Sequence, residues 1–292
     1  MTDISIKDGF IYGGWRAPEN LWRNLKTSIH DDATAKKVGM RGGTIPGTIH
    51  LSLFAPLMLE IFGDRWFEKG SLSMYYTFAT TDKEEVRAVV KIPPEGADDF
   101  QVEARVEMPS GKVIATGTVA VGEPKELSYL QALELKSSNP EDLRILKGMK
   151  VGDDFISREV LINQEDANKG LKTITDHLDY YMGKSPWGNS ILSPTAIFGT
   201  MSLNSETLDI ARNQAVPFYG ATEIRNINGP VMVDIPYEAS GKVACAGASR
   251  KTEYYWIDAI LKEKESGKMI ASMRHMTRYM KAGSPLYSEI TQ

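Results

Sequence analysis

Between Gly43 and Gly63 the chain reads Gly-Thr-Ile-Pro-Gly-Thr-Ile-His-Leu-Ser-Leu-Phe-Ala-Pro-Leu-Met-Leu-Glu-Ile-Phe-Gly. Ile49, Leu51, Leu53, Phe54, Leu57, Met58, Leu59, Ile61 and Phe62 leave almost no polar face. A helix that is apolar nearly all round has to be buried. The run is too short, and too interrupted by His50, Pro56 and Glu60, to span a bilayer. Pro56 predicts a kink or a helix start near its own position, and Gly63 stands where a C-terminal cap belongs. Such a helix must be wrapped, and the flanking sequence supplies the wrapper.

After the run, the apolar period changes to two. Ser71–Ala79 is the first strand candidate. Val86–Ile92, Phe100–Met108 and Val113–Val121 then alternate apolar with polar residues. Turn signals separate them at Thr80–Lys83, Pro93–Gly96 and Pro109–Lys112. This is the pattern of an antiparallel meander with one buried face. Ahead of the helix, Phe10, Tyr12, Trp15 and Trp22 punctuate an irregular segment that has to lie across the fold. Asp31 or Asp32 is placed to cap a short helix ending at Gly39.

Residues 122–150 lose the alternation and read as a surface connector, with room for a short helix over Leu127–Leu135. Then the order repeats. Phe155–Ile162 reads as a strand, Asn163–Tyr181 as helical, and Thr195–Ile210 as a second amphipathic helix. Strand candidates follow at Val216–Asn226, Val231–Glu238, Val243–Leu261 and Met269–Met280. Asn228-Gly229 is the strongest hairpin signal, and Ser240-Gly241 and Ser266-Gly267 supply further turns. Pro46 and Pro194 each precede a buried helix, about half the chain apart. The expectation is an α+β protein in which two antiparallel sheets each wrap a central helix and join edge to edge, removing two exposed edges. The expected units are 1–121, a connector at 122–150, and 151–292.

Composition bounds the function. Apolar content is 42%, charged content 25% and the net charge −4, which argues against a broad cationic field for nucleic acid. No apolar run reaches membrane length. The polar start, Met1 to Asp8, lacks the layout of a signal peptide, and Cys245 is the single cysteine. The expected setting is the cytoplasm, with no disulfide. The chain carries no phosphate-binding loop, dinucleotide fingerprint or His-Glu-x-x-His motif, so no cofactor and no metal is expected.

The stretch Ile29-His30-Asp31-Asp32-Ala33 through Ala35, Val38-Gly39-Met40-Arg41-Gly42-Gly43-Thr44-Ile45-Pro46-Gly47, set in a duplicated helix-and-meander pattern, resembles the MaoC-like hydratase/dehydratases of the double hot-dog fold. In that family's motif, Gly-Asp-x-Asn-Pro-(Ile/Leu)-His, an aspartate stands five residues before the histidine. Here Leu25 and Thr27 occupy the aspartate and asparagine positions before His30. In the second half Asp176 falls in the aspartate position and Tyr181 in the histidine position. The resemblance implies a cofactor-independent hydro-lyase acting on a small carbonyl-activated substrate, with a CoA thioester as one option, and an oligomer.

Adding or removing water beside a carbonyl needs a group to move the proton at carbon 2 and a group to protonate the leaving hydroxyl. The candidates are His30, partnered by Asp31 or Asp176, with Tyr181 beside the latter. His50, in the opening turn of the central helix, stands where a carbonyl or enolate would be held. Arg41, Gly43, Thr44, Trp187 and Asn189 are the expected pocket-lining residues. A thioesterase using Glu60 or Asp31 to activate water is the rival enzyme reading, and a non-catalytic small-molecule-binding protein is the other.

Overall fold

The computed structural model describes residues 3–94, 96 and 98–290. Met1, Thr2 and Glu95, the last within the turn expected at Pro93–Gly96, lie outside the described residues. Among the described residues the strands form a single sheet of eleven. They are β1 (Ser5–Lys7), β2 (Phe10–Tyr12), β3 (Gly70–Tyr76), β4 (Arg87–Lys91), β5 (Phe100–Glu107), β6 (Val113–Val121), β7 (Arg158–Val160), β8 (Pro217–Asn226), β9 (Tyr237–Ala248), β10 (Thr252–Glu263) and β11 (Met269–Met280). Their order is β1-β2-β4-β5-β6-β3-β8-β11-β10-β9-β7. Reading outward from the β3–β8 seam, each half runs first, fourth, third and second strand after its helix, then strands from before it, β2 and β1 in the first half and β7 in the second. The two halves therefore share one topology. β3 and β8 are antiparallel, with Ser71 opposite Arg225 and Tyr75 opposite Ala221. That pairing closes what would be two open edges.

The central apolar run folds as a 3-10 helix, Gly47–Leu53, followed by α2, Ala55–Phe62. Pro56 causes the division: it cannot donate to the Ser52 carbonyl, yet it is tolerated in the first turn of an α-helix. Gly63 caps α2 with φ of +61°. Leu51, Phe54, Leu57 and Met58 are fully buried against the strands, each side chain contributing about 1.5–3 kcal/mol of burial. Ahead of them lies α1, Asp32–Lys37, capped by Asp31, whose carboxylate accepts from the Thr34 N–H. α3 (Arg65–Lys69) leads into β3.

Several expectations about local structure need correction. Leu127–Leu135 forms turns and bends, not a helix, because strand side chains take its backbone donors. Tyr129 N–H donates to Thr118 Oγ1 and Leu130 N–H to Ser73 Oγ, both at 3.0 Å. Leu130 is fully buried on the outer sheet face with Cys245, Trp256 and Met276. The stretch Asn163–Tyr181 is α-helical only over α4, Gln164–Leu171, and ends in a short 3-10 helix, Asp179–Met182. β-branched Thr173, Ile174 and Thr175 follow it, and His177 Nε2 lies 2.9 Å from the Leu171 carbonyl.

The second central helix is shorter than expected. Thr195–Ile210 divides into α5 (Pro194–Thr200) and α6 (Glu206–Gln214). Ser205 caps α6 by accepting from Leu208 N–H, and the Asn204 carbonyl accepts from Ile156 N–H at 2.9 Å. Val231–Glu238 is a loop until Tyr237 opens β9. Its buried Val231 and Val233 pack beside Ile191 and Leu192, with Leu192 N–H donating to the Val231 carbonyl. Asn228-Gly229 turns the chain without making a hairpin, since β8 pairs with β3 and β11. Val243–Leu261 is two strands of a hairpin, β9 and β10. Ser240-Gly241 lies within β9; a Cβ at Gly241 would come 2.9 Å from the Asp258 carbonyl oxygen, so the glycine serves close strand approach.

Candidate active site

A cavity of about 740 Å³ opens beside the seam between the two halves. Its walls come from the 28–50 segment, the 76–81 turn after β3, and Thr173, Thr195, Phe198 and Phe218 of the second half. The volume lies in the range of about 300–1,000 Å³ common for small-molecule sites. Ile29, Ile45, Ile49, Phe78, Ile114 and Phe198 make much of the wall apolar. Its floor is braced where the two central helices meet. Ser52 Oγ and Thr195 Oγ1 are 2.7 Å apart, and Thr195 Oγ1 donates to the Thr48 carbonyl at 2.8 Å.

His30 enters this cavity from the turn ahead of α1. Its Nδ1 is 2.7 Å from the Thr44 carbonyl oxygen. A carbonyl only accepts, so Nδ1 carries the proton, and Nε2 of the neutral ring is left as the basic nitrogen. Its own carbonyl accepts from Asn20 Nδ2 at 2.8 Å. A Cβ at Gly43 would stand 2.2 Å from that carbonyl oxygen, so only glycine fits there. The Trp22 ring lies 5.9 Å away, centroid to centroid. Burial pushes the imidazole below its ordinary pKa, and the Thr44 contact partly opposes the shift.

His50 also lines the cavity. Its Nε2 is 2.9 Å from Thr80 Oγ1, while Nδ1 is buried with no partner. Complete burial lowers its pKa to about 4, which keeps the ring neutral. The two histidines hang from one short stretch of paired backbone. Thr44 bridges Thr81, and Ile45 N–H donates to the Thr80 carbonyl at 2.8 Å. His30 bonds to one side of this pairing and His50 to the other.

Arg41 and Thr44 line the same cavity; Gly43 lies behind it, in a polar cleft of about 420 Å³. Arg41 is committed to Glu84, with two contacts of 2.9 and 2.7 Å, and to the Ala79 carbonyl. Asp31 does not line the cavity: Lys26, Thr34 N–H and the Thr34 hydroxyl engage its carboxylate and hold it down at about 2. Asp176 is bound to Arg16 Nε at 2.9 Å, in a narrow cleft beside Gly13 and Leu53. Tyr181 is buried with its hydroxyl unpartnered. Trp187 packs edge-on to Phe67 and Tyr180 and donates to Glu68, so aromatic rings fill the area beside it. Asn189 is exposed. The structure thus gathers His30, His50, Arg41 and Thr44 at one cavity and leaves Asp31, Asp176, Tyr181, Trp187 and Asn189 outside it. Among the described residues, no Asp or Glu lines it.

Thr80, Thr48 and Phe198 are wall residues that sequence reasoning did not single out. Thr80 lay in a stretch whose only visible signal was a turn. Among the described residues, no three His, Cys, Asp or Glu side chains cluster as metal ligands would, and no helix is long and apolar enough to cross a membrane.

An eleven-stranded sheet built from two copies of one topology, each copy packed on a short central helix, defines the double hot-dog fold. Solved structures share it across nearly the whole chain. A MaoC domain protein of Chloroflexus aurantiacus J-10-fl superposes with a TM-score of 0.59 at 9% identity, covering 96% of this chain and 95% of its own. A Mycobacterium tuberculosis protein with a double hotdog fold gives 0.54 at 10% identity, covering 91% and 94%. A MaoC-like dehydratase gives 0.52 at 13% identity, covering 90% and 95%. No family model matches the sequence, and no curated protein matches it. The likeness is one of fold.

Proposed function

We propose that this chain is a cofactor-independent hydro-lyase that removes or adds water next to a carbonyl, with His30 as the proton-transfer group. The observation that carries the reading is the His30–Thr44 contact: it directs a neutral imidazole with a basic Nε2 to an otherwise largely apolar cavity. In the dehydrating direction, Nε2 takes the proton from carbon 2 of a 3-hydroxy carbonyl compound. The Thr44 carbonyl then steadies the imidazolium through Nδ1–H. The same Nε2–H is delivered to the 3-hydroxyl, the carbon–oxygen bond breaks, water leaves and the double bond forms. One base serving both steps requires the proton and the hydroxyl to leave from one face of the substrate. The occurrence of MaoC-like dehydratases on this fold supports the reading by analogy.

The thioesterase reading lacks its carboxylate: Glu60 is an exposed residue of α2 and Asp31 is occupied as a helix cap. The test follows water addition across a panel of enoyl compounds, offered as short thioesters, CoA thioesters and ketones. Wild-type protein should hydrate at least one class and release no free thiol. His30→Gln should abolish turnover while leaving the fold intact. Full turnover in His30→Gln, or thiol release without hydration, overturns the proposal.

A further inference from the structure

The charges around the cavity have a consequence for what can enter it. Among the described residues that line it, Arg41 is the sole side chain that is charged at neutral pH. Its guanidinium is already bonded twice to Glu84 and once to the Ala79 carbonyl. The two imidazoles are neutral, each by burial. The adjoining polar cleft shares Arg41, Gly42 and Thr81 with the cavity and also contains Arg23, Asp32 and Asp82. Its ions are matched as well. Arg23 lies 3.7 Å from Asp82, and Lys36 lies 3.6 Å from Asp32, whose other oxygen accepts from Gly43 N–H. Lys112 Nζ stands over the Phe78 ring, 3.2 Å from its centroid, and Arg41 faces the same ring at 4.5 Å.

An anion entering the apolar cavity would shed water and find its natural partner, Arg41, taken by a bidentate carboxylate. Desolvating an anion without a partner is strongly unfavourable. The phosphates of a nucleotide beside the cavity would meet the carboxylates of Asp32 and Asp82 as well as Arg23, Lys36 and Lys112. A neutral carbonyl oxygen, by contrast, can accept from the hydroxyls of Thr44, Thr48 and Thr80, and a substrate hydroxyl can donate to His30 Nε2.

We infer that the cavity takes an uncharged carbonyl compound, and that neither a free carboxylate nor a nucleotide carrier contributes to recognition. The inference rests on the cavity being the active site proposed above, and it narrows the substrate class. Binding is measured by calorimetry on full-length His30→Gln protein, which removes turnover from the readout. One medium-chain enoyl group is presented as its N-acetylcysteamine thioester, its CoA thioester and its free acid. The short thioester should bind at least as tightly as the CoA thioester, and the free acid should bind about tenfold or more weakly than either. A CoA thioester that binds about tenfold tighter than the short thioester, or a free acid that matches it, overturns the inference. So does failure of all three to bind.

Glu84→Gln adds a second arm. With Arg41 released, affinity for the free acid should rise about tenfold, and affinity for the short thioester should stay constant. No gain for the acid overturns the assignment of Arg41 as a neutralised gate. The two proposals fail separately. Preferential binding of the short thioester without hydration by wild type would sink the lyase reading and keep this one. Hydration of a CoA thioester with strong nucleotide dependence would do the reverse.

Discussion

The Nδ1 atom of His30 lies 2.7 Å from the carbonyl oxygen of Thr44, fourteen residues along the chain. That single contact sets the tautomer of the ring, leaves Nε2 as its basic nitrogen and ties the histidine to the backbone pairing that also carries His50.

The placement of His30 depends on Asn20, which donates to the His30 carbonyl at 2.8 Å and whose own N–H donates to Asp82 at 2.7 Å. Asn20→Ala should lower kcat by about tenfold to a hundredfold, because small misplacements of a reacting group are expensive, with little change in KM. Steady-state kinetics on the hydration reaction checks this; a changed KM at constant kcat would show that Asn20 serves binding instead.

His30 titrates below its ordinary value because it is buried. The neutral ring, the form able to accept a proton, therefore persists to lower pH than in a free histidine. The acid limb of kcat/KM in the hydro-lyase reaction should have its midpoint below about 6.5. A midpoint above that value would assign the limb to another group.

Buried neutral histidines also make stability depend on pH. His50 is lowered to about 4 and His275 to about 3, both by burial, His275 being packed against Phe198 and Tyr219. Unfolding restores the ordinary value near 6.5, so the unfolded chain binds more protons below it. Their contribution is fully present above about pH 6.5. It is lost as pH falls toward the folded-state values, by about 1.4 kcal/mol per pH unit for each histidine. Urea unfolding between pH 7 and 4 should show this slope, and His275→Gln should reduce it.

The two halves are joined by more than the sheet. Thr195→Val removes the hydroxyl that meets Ser52 Oγ and donates to the Thr48 carbonyl at the contact between the central helices, while the Thr195 N–H still reaches Ser52 Oγ at 3.4 Å. Leaving the Thr48 carbonyl without this donor should destabilise the protein by about 1–3 kcal/mol, read as a shift in the denaturation midpoint at constant slope.

The 122–150 segment is held by Glu253 of β10. This buried carboxylate accepts from the N–H groups of Arg144, Ile145 and Leu146 at 2.8–3.1 Å and from the Tyr287 hydroxyl. Glu253→Ala should orphan these buried donors, destabilise by about 3 kcal/mol or more, and expose residues 140–150 to protease. Unchanged resistance to proteolysis would show that Leu143, Ile145 and Leu146 hold the segment by burial alone.

The sheet was legible because its strands alternate. The runs at Phe100–Met108 and Val113–Val121 carry the side-chain period of a half-buried sheet in their letters, and β5 and β6 follow them closely. Short caps were legible for the same local reason: Asp31 before α1 and Gly63 after α2 act within one turn of their own positions. Where the sequence misled, a distant partner had taken over a local group, as Ser73 did with the Leu130 amide and Ile156 with the Asn204 carbonyl. Gly241 looked like a turn because nothing in sequence shows the neighbouring strand pressing against it.

The site divides along the same line. His30, His50, Arg41 and Thr44 stand close enough in sequence to the central helix for the sequence alone to nominate them. The sequence also placed a leucine where a related motif has its aspartate. Only the tertiary structure could decide that Asp176 pairs with Arg16 in a separate cleft, that aromatic packing occupies the space beside Trp187, and that Thr80 reaches back thirty residues to His50. The first two outcomes depend on the two halves meeting, and the third on the turn after β3 folding back onto the central helix; proximity of that kind leaves no period in either segment alone.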